Sequence, residues 1–337
     1  MMACSSESAE KGKMSATNII LISSGPQSAL DYGFMSSGTA ITPALDSLAD
    51  GAVVFKHGYL PSQRADENRR SLLTGISPKT YNILVDSLMQ EDIKRALFKT
   101  KEDMENWKRN YPDGVLSVVP TLPTVLSQSG YITNYSGDEM NYEAAGFTSN
   151  VDAKKFISTK KEKPFFLYVQ LSGSNDSEIA QLINTVKQHK LLDNTWIVYT
   201  QNQGLEDAYD LTYRTPIIFH ASIVITKKNM SNELISTMDV MPTLLDYLSI
   251  DLPANLEGIS YKSAMQGESI NPHKIMYGQN EDFQYLRTSE YYFSWNAADD
   301  TKILFELLND PACSDNMAAY HPAKIGGFIE KLKNRMD

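Results

Sequence analysis

The sequence predicts an α/β protein with a mostly parallel sheet sandwiched by helices and a small C-terminal α+β subdomain. Short apolar, β-branched runs alternate with helical patterns over the first two thirds of the chain, as expected of parallel strands joined by helical crossovers. After about Gly258 the pattern changes to closely spaced strand signals without long helices between them. At 337 residues and 42% hydrophobic, the chain has enough apolar material for a large domain plus a small one.

Each element has its own justification. Candidate buried strands are Asn18 to Ser23, Ala52 to His57, Tyr131 to Tyr135, Pro164 to Gln170, Thr195 to Thr200 and Thr215 to Phe219. Helical patterns run from Thr42 to Ala49, Arg70 to Thr74, Thr121 to Ser129, Ser177 to His189 and Met241 to Tyr247. Thr42 with Pro43 supplies an N-cap and a proline at the first helical position, and Pro242 with Thr243 opens a helix in the same way. Gly75 and Gly130 follow helical patterns, where a left-handed residue ends a helix. The charged stretch Tyr81 to Asp113 ends in a turn signal, Tyr-Pro-Asp-Gly, and reads as a surface excursion. Strands Tyr285 to Arg287, Tyr291 to Trp295 and Ile303 to Leu308, then a helix from Pro322 to Met336, form the C-terminal part. The domain reading is therefore a disordered polar tail over 1–16, an α/β domain over 17–265 and a C-terminal subdomain over 266–337.

Composition excludes several function classes. A net charge of −10 argues against a nucleic-acid partner, because binding a phosphate backbone requires a basic face. The two cysteines, Cys4 and Cys313, form neither a disulfide framework nor a paired-thiol metal site. The apolar run Ile19 to Ile22 is too short for a signal-peptide core, and no stretch approaches the ~20 apolar residues of a membrane span. As written, the chain is expected to be cytoplasmic and not to insert into a membrane.

A set of segments in fixed order carries a resemblance. Asn18 to Ile22, Thr42 to Leu48, Val54 with Phe55, Tyr59, and Ser71-Leu-Leu-Thr-Gly75 open the series. Thr121 to Tyr131, Lys163 to Tyr168, Asp193 to Thr200, Met241 to Leu245, Gly258, Leu307 to Pro311 and Asn316 continue it. In order and spacing these segments resemble the sulfatase family of the alkaline phosphatase superfamily, and the likeness covers almost the whole chain. Leu286 to Trp295 is similar to the iduronate-2-sulfatase-like branch in particular. The resemblance implies a secreted, periplasmic or lysosomal setting for active relatives.

The same resemblance locates the residues that chemistry would need. The family's formylglycine nucleophile arises from a cysteine in a Cys-x-Pro-Ser-Arg segment, which here reads Ala65-Asp66-Glu67-Asn68-Arg69. A methyl group at Ala65 cannot become an aldehyde hydrate. The family's divalent cation is held by two acidic pairs, and at these places stand Gly25 with Pro26 and Asn202 with Gln203. None offers the anionic oxygen a hard cation needs, so no metal and no other cofactor is expected. The family's Gly-Lys-x-His segment becomes Gly137-Asp138-Glu139-Met140, and Leu171 to Asn175 lacks the expected histidine. The long family insert after that strand is cut to a few residues.

Arg69 is what persists of the constellation, flanked by Arg64 and Arg70; together they are candidates for binding an anion at a helix N-terminus. The competing reading is that Asp66 and Glu67 neutralise them in a solvated turn. His57 and His220 read as strand-end histidines, whereas His189, His273 and His321 lie in polar contexts and are expected to be exposed. Tyr291, Tyr292, Phe293 and Trp295 have the pattern of a strand facing a core. The function expected is that of a catalytically inactive, sulfatase-like binding, scaffolding or assembly subunit with protein partners and at most a weak anion ligand. The alternative is a sulfuric or phosphoric ester hydrolase with a rebuilt, metal-independent site using Asp66, Ser62 or Thr80.

Overall fold

A computed structural model describes residues 17–35, 42–93, 100–104, 115–138, 140–173, 175–206, 209–222, 224–225, 229–268, 273–279 and 283–336. The expected N-terminal tail, Cys4, Glu139 and the turn at 111–114 lie outside the described residues.

Eight strands form the main sheet: β1 Asn18–Ser24, β2 Ala52–Tyr59, β3 Ile132–Ser136, β4 Ser149–Asn150, β5 Phe165–Gln170, β6 Thr195–Gln201, β7 Arg214–His220 and β8 Asn229–Ser236. Their order is β4-β3-β5-β1-β6-β7-β2-β8. Every neighbour pair is parallel except those of β7, which runs antiparallel to β6 and β2. β1 and β6 are buried along their whole length, which explains their unbroken apolar and β-branched composition.

The helices are α1 Pro43–Ala49, α2 Ala65–Thr74, α3 Pro78–Ile93, α4 Leu122–Gln128, α5 Ala153–Ser158, α6 Asp176–Gln188, α7 Asp210–Tyr213, α8 Val240–Tyr247, α9 Lys262–Met265 and α10 Pro322–Met336. Two hydrophobic cores lie on opposite faces of the sheet. Leu72, Leu73, Leu122, Leu126, Leu244 and Leu245 pack from α2, α4 and α8 on one face. Leu45 and Leu48 of α1 join α6 on the other, where Ile179, Leu182, Ile183 and Val186 form a stripe at helical spacing. Each such side chain contributes about 1.5–3 kcal/mol on full burial.

The second sheet has the order β12-β11-β10-β9, with β9 Met276–Gln279, β10 Gln284–Arg287, β11 Tyr291–Trp295 and β12 Lys302–Glu306, all antiparallel. It is covered on both faces. Tyr285, Tyr292 and Phe305 pack with Tyr59, Tyr213 and Leu234, while Leu286, Phe293, Trp295 and Leu304 pack with Ile325, Phe328 and Leu332 of α10.

Local expectations need correction at several points. Helix α2 begins at Ala65 rather than Arg70, so the expected solvated turn is the helix's own first turn, and Asn68, Arg69 and Arg70 are buried in it. The stretch read as a surface excursion starts as helix α3, with Tyr81 and Val85 buried against the core. Its charged residues hid the apolar spacing of Tyr81, Val85 and the partly buried Leu84 and Leu88. β8 was missed because Asn229, Ser231, Asn232 and Glu233 dilute its apolar signal at the sheet edge. Pro242 sits inside α8, which opens two residues earlier at Val240 behind a short 3-10 turn.

Candidate functional site

The carboxyl ends of β1 and β6 meet the N-terminus of α2, and this junction brings together most positions singled out from the sequence. β1 and β6 are in register up to Ser24 opposite Gln201, which places Gly25 and Asn202 side by side. Asn202 N–H donates to Ser24 O at 3.0 Å. The Gln201 side chain, 2% exposed, donates Nε2–H to Gln27 O at 2.8 Å and to Gly25 O at 3.4 Å. Neutral amides and carbonyls thus tie the two strand ends together. Gly25 N–H donates to Gly173 O, so the segment after β5 closes over the same point. A Cβ built on Gly25 would stand 2.7 Å from Ser172 O, a backbone atom, and 3.1 Å from Gly173 Cα. Glycine is required here because a neighbouring backbone occupies the side-chain space. Pro26 is exposed and Gln203 half-buried.

Asn68 connects this junction to α2. Its Oδ1 accepts from Ser62 N–H at 3.0 Å, and its Nδ2 donates to Ser62 O at 2.8 Å and Asn202 O at 3.1 Å. The side chain is 1% exposed with both ends satisfied, so it acts as a structural clamp. Ala65 is the first residue of the helix and half-buried.

The three arginines have different surroundings. Arg64 is the N-cap residue of α2, with its side chain 53% exposed and Nε 3.3 Å from Asp66 Oδ1. Arg70 is buried, 2.7 Å from Asp66 Oδ2, and its guanidinium lies 5.4 Å from the centre of the Tyr81 ring. Arg69 is 7% exposed. Burial opposes ionisation of Asp66, but Arg70 and Arg64 outweigh it and hold the carboxyl below its ordinary value.

Asp138 is exposed past the end of β3, and Met140 packs half-buried against the core. A cavity of about 780 Å³ lies elsewhere, beside β8; the one next to Asp138 measures about 610 Å³ and carries Asp138, Asp152 and Glu178 against Lys154. Three carboxylates to one ammonium disfavour an anionic ester there.

The candidate nucleophiles of the rebuilt-site alternative are already engaged. Asp66 is held by two arginines, and Ser62 is fully buried with its Oγ accepting from Arg64 N–H at 3.1 Å. Thr80 Oγ1 lies 3.2 Å from Ser77 Oγ, which also accepts from Thr80 N–H at 3.3 Å. Ser77 also donates Oγ–H and N–H to Glu257 Oε1, both at 2.9 Å, which caps α3 beside the far end of α2 from Ala65. Among the described residues no group of three or more His, Cys, Asp and Glu is arranged to hold a metal ion. Sequence reasoning missed the Gln201 amide, whose significance depends on register. It also expected His273 to be exposed; the imidazole Nε2 is instead 3.0 and 3.1 Å from the carboxylate oxygens of the fully buried Asp239.

The family model described as sulfatase matches residues 17–166, and that of the N-sulphoglucosamine sulphohydrolase C-terminal region matches residues 206–337. The chain is thus sulfatase-like over both segments. It is 22% identical over 299 residues to an ulvan-active sulfatase of Formosa agariphila, spanning 77% of this chain and 60% of that protein. To arylsulfatase K of Canis lupus familiaris it is 26% identical over 219 residues, spanning 56% and 40% of the two chains. The alignments therefore cover less than two thirds of these sulfatases' own length. In fold, the chain is similar to a putative sulfatase from Bacteroides thetaiotaomicron, with a TM-score of 0.76 at 15% identity, covering 95% of this chain and 93% of that one. It is also similar in fold to the phosphonate monoester hydrolase of Agrobacterium radiobacter, with a TM-score of 0.73 at 13% identity, covering 94% and 95%. Among the described residues no helix is long and apolar enough to cross a membrane.

Proposed function

We propose that this sulfatase-like chain does not hydrolyse sulfate esters and serves as a binding, scaffolding or assembly subunit. The observation that carries this reading is the packing at Gly25, where Ser172 O lies 2.7 Å from any Cβ and the Gln201 amide spans the adjacent carbonyls. A cation site needs anionic oxygens at this junction, and here the space is filled by uncharged, mutually satisfied groups. Ala65 adds the second deficit, since an alanine offers no nucleophile at the start of α2. The framework that serves packing is retained while the positions that serve chemistry carry other residues.

The C-terminal subdomain is the proposed partner surface, because Leu308 and Tyr320 there are 70% and 75% exposed. The affinity of Leu286 to Trp295 for the iduronate-2-sulfatase-like branch is part of the same proposal. Any weak anion contact at the α2 N-terminus would fall to Arg64, which is half-exposed but ion-paired with Asp66, with Arg69 and Arg70 buried behind it.

The test combines elemental analysis after dialysis, turnover of aryl sulfates and aryl phosphates with and without calcium, and co-purification from the native source. The expected result is no stoichiometric metal, no turnover above a control, and recovery with a defined protein partner. One equivalent of tightly bound metal, or calcium-dependent turnover, overturns the reading. Recovery as a lone monomer with salt-sensitive sulfate binding that is lost in Arg69→Ala sinks the assembly role and favours an anion sensor.

A further inference from the structure

A cavity of about 390 Å³ opens at the amino ends of β1, β5 and β6, the opposite end of the sheet from the α2 junction. The length of β1 puts the two roughly 20 Å apart, at about 3.3 Å per residue. Two basic segments meet at this cavity. Residues 160–163, between α5 and β5, carry Lys160, Lys161 and Lys163, and residues 187–193, at the end of α6, carry Lys187, His189 and Lys190. Lys160, Lys161, Lys163 and His189 line the cavity, and Lys187 and Lys190 flank His189 along the chain. Glu162 and Asp193 are the acids of the two segments. In a chain of net charge −10 this is a local reversal of sign.

The fold consumes only one of these lysines. Lys161 is half-buried, donates to the carbonyls of Phe156 and Thr159 at the carboxyl end of α5, and lies 3.8 Å from the centre of the Phe156 ring. It anchors the segment, while Lys160 and Lys163 beside it stay exposed. The carboxyl end of α6 is closed by its own backbone, since His189, Lys190 and Leu191 donate N–H to the carbonyls of Thr185, Lys187 and Val186. Lys190 completes that turn in the left-handed region, at φ 56°. The Lys187 and Lys190 side chains are therefore not needed as caps, and both are exposed. Among the described residues Lys160, Lys163, Lys187 and Lys190 form no ion pair, unlike Arg70 with Asp66 or Lys262 with Asp246. Four unpaired like charges around one concavity raise the local potential and draw anions to it.

The residue types select the ligand. The lining holds no arginine, and its one aromatic ring, Phe165, is buried. Protein interfaces draw their energy from Trp, Tyr and Arg and are depleted in Lys, and single-stranded nucleic acid needs aromatic faces on which to stack. A bilayer would require exposed apolar side chains, and among the described residues no large exposed hydrophobic lies in either segment. Lysine is a compact point charge, suited to sulfate and phosphate groups bound by charge alone. We propose that this face binds a linear polyanion bearing closely spaced sulfate or phosphate groups, held by Lys160 and Lys163 of one segment and Lys187 and Lys190 of the other. The proposal stands whether or not the chain retains ester hydrolysis, because the α2 junction lies at the other end of the sheet.

The test is calorimetric titration of the whole chain with a heparin oligosaccharide and, separately, with linear polyphosphate, each repeated at increasing chloride. Polyglutamate, duplex DNA and phosphatidylserine vesicles serve as comparisons. Saturable binding of at least one of the two polymers is expected, with the logarithm of the association constant falling linearly with that of the salt concentration. Preference for heparin identifies sulfate groups, and preference for polyphosphate identifies phosphate groups. The double variants Lys160→Gln with Lys163→Gln and Lys187→Gln with Lys190→Gln, all on exposed side chains, should each weaken binding about tenfold and lower the salt slope by about two, with the melting temperature unchanged. Arg64→Ala, at the α2 end of the sheet, should leave binding as it was. No saturable binding of either polymer overturns the proposal. So does binding that survives both double variants, that is lost in Arg64→Ala, or that is tighter for polyglutamate, DNA or vesicles.

Discussion

Arg287 on β10 and Asp210 on α7 form a 3.0 Å ion pair whose side chains are 5% and 4% exposed. Tyr59, the last residue of β2, donates its hydroxyl proton to Asp210 Oδ1 at 2.9 Å and accepts from Arg287 Nε at 2.9 Å. The second sheet is therefore joined to the main sheet by charge as well as by the stacked Tyr213 and Tyr285 rings, whose centres are 3.9 Å apart. Burial alone would lower the Arg287 pKa, but Tyr59 and Asp210 raise it above its ordinary value. A triad of this kind fixes orientation more surely than it adds stability, because desolvation cancels much of the attraction.

Removing one partner should consequently cost far more than removing both. Arg287→Met is expected to destabilise the chain by about 3–5 kcal/mol, since it strands the Asp210 carboxylate in the interior. The double variant Asp210→Asn with Arg287→Met should recover much of that loss. Urea unfolding of the three proteins at constant pH measures both effects. A single-variant loss below about 1 kcal/mol would transfer the attachment of the second sheet to the aromatic stack.

Gly25 offers a direct probe of the strand-end junction. Gly25→Asp, which introduces the carboxylate type that the family resemblance expects, must displace Ser172 O from 2.7 Å. Overpacking of this sort costs about 1–3 kcal/mol, so the melting temperature should fall. Millimolar calcium should not restore it, because Gln201 and Asn202 still supply neutral ligands. A calcium-dependent rise in melting temperature would reveal a latent cation site.

Asn68 should behave as a structural residue. Asn68→Ala leaves Ser62 N–H, Ser62 O and Asn202 O without their partner, and a loss of about 2–4 kcal/mol is expected because such buried vacancies do not add fully. Hydrogen exchange at the Ser62 amide should accelerate in step with global stability. If Asn68→Ala were neutral, the junction between α2 and β6 would rest on backbone contacts alone.

The sheet was legible because β1, β5 and β6 are buried on both faces and so carry continuous apolar runs. Edge strand β8 was not, since half of it meets solvent or cavity and its composition is polar. The start of α2 was hidden for another reason: Asp66, Glu67, Asn68 and two arginines read as a charged turn, yet the charges pair within one helical turn and Asn68 bonds outward to β6. At the candidate site, residue identities were readable, whereas the hydrogen bonds of Gln201 required the β1–β6 register. The His57 and Arg287 pair was beyond reach altogether, because 230 positions separate two residues that only the docking of the two sheets brings to one cavity.

That cavity makes a prediction about acid stability. The folded-state pKa of His57 is pushed down to about 3 by burial, then by Arg214, Arg287 and Lys56, whereas in the unfolded chain it returns to its ordinary value of about 6.5. Between these values the unfolded state binds one more proton at this site than the folded state does, so stability rises with pH across the window. The contribution is fully present above about pH 6.5 and is lost as pH falls toward 3, at about 1.4 kcal/mol per unit before screening of the partly exposed ring reduces it. His57→Phe removes the group from both states. In chloride buffer free of sulfate, phosphate and carboxylates, the difference in unfolding free energy between wild type and His57→Phe should change with pH from 6.5 to 4 and stay flat from 7 to 8. A difference that is flat throughout would mean that His57 protonates in the folded chain near its ordinary value, and a carboxylate or other anion would then have to lie against it.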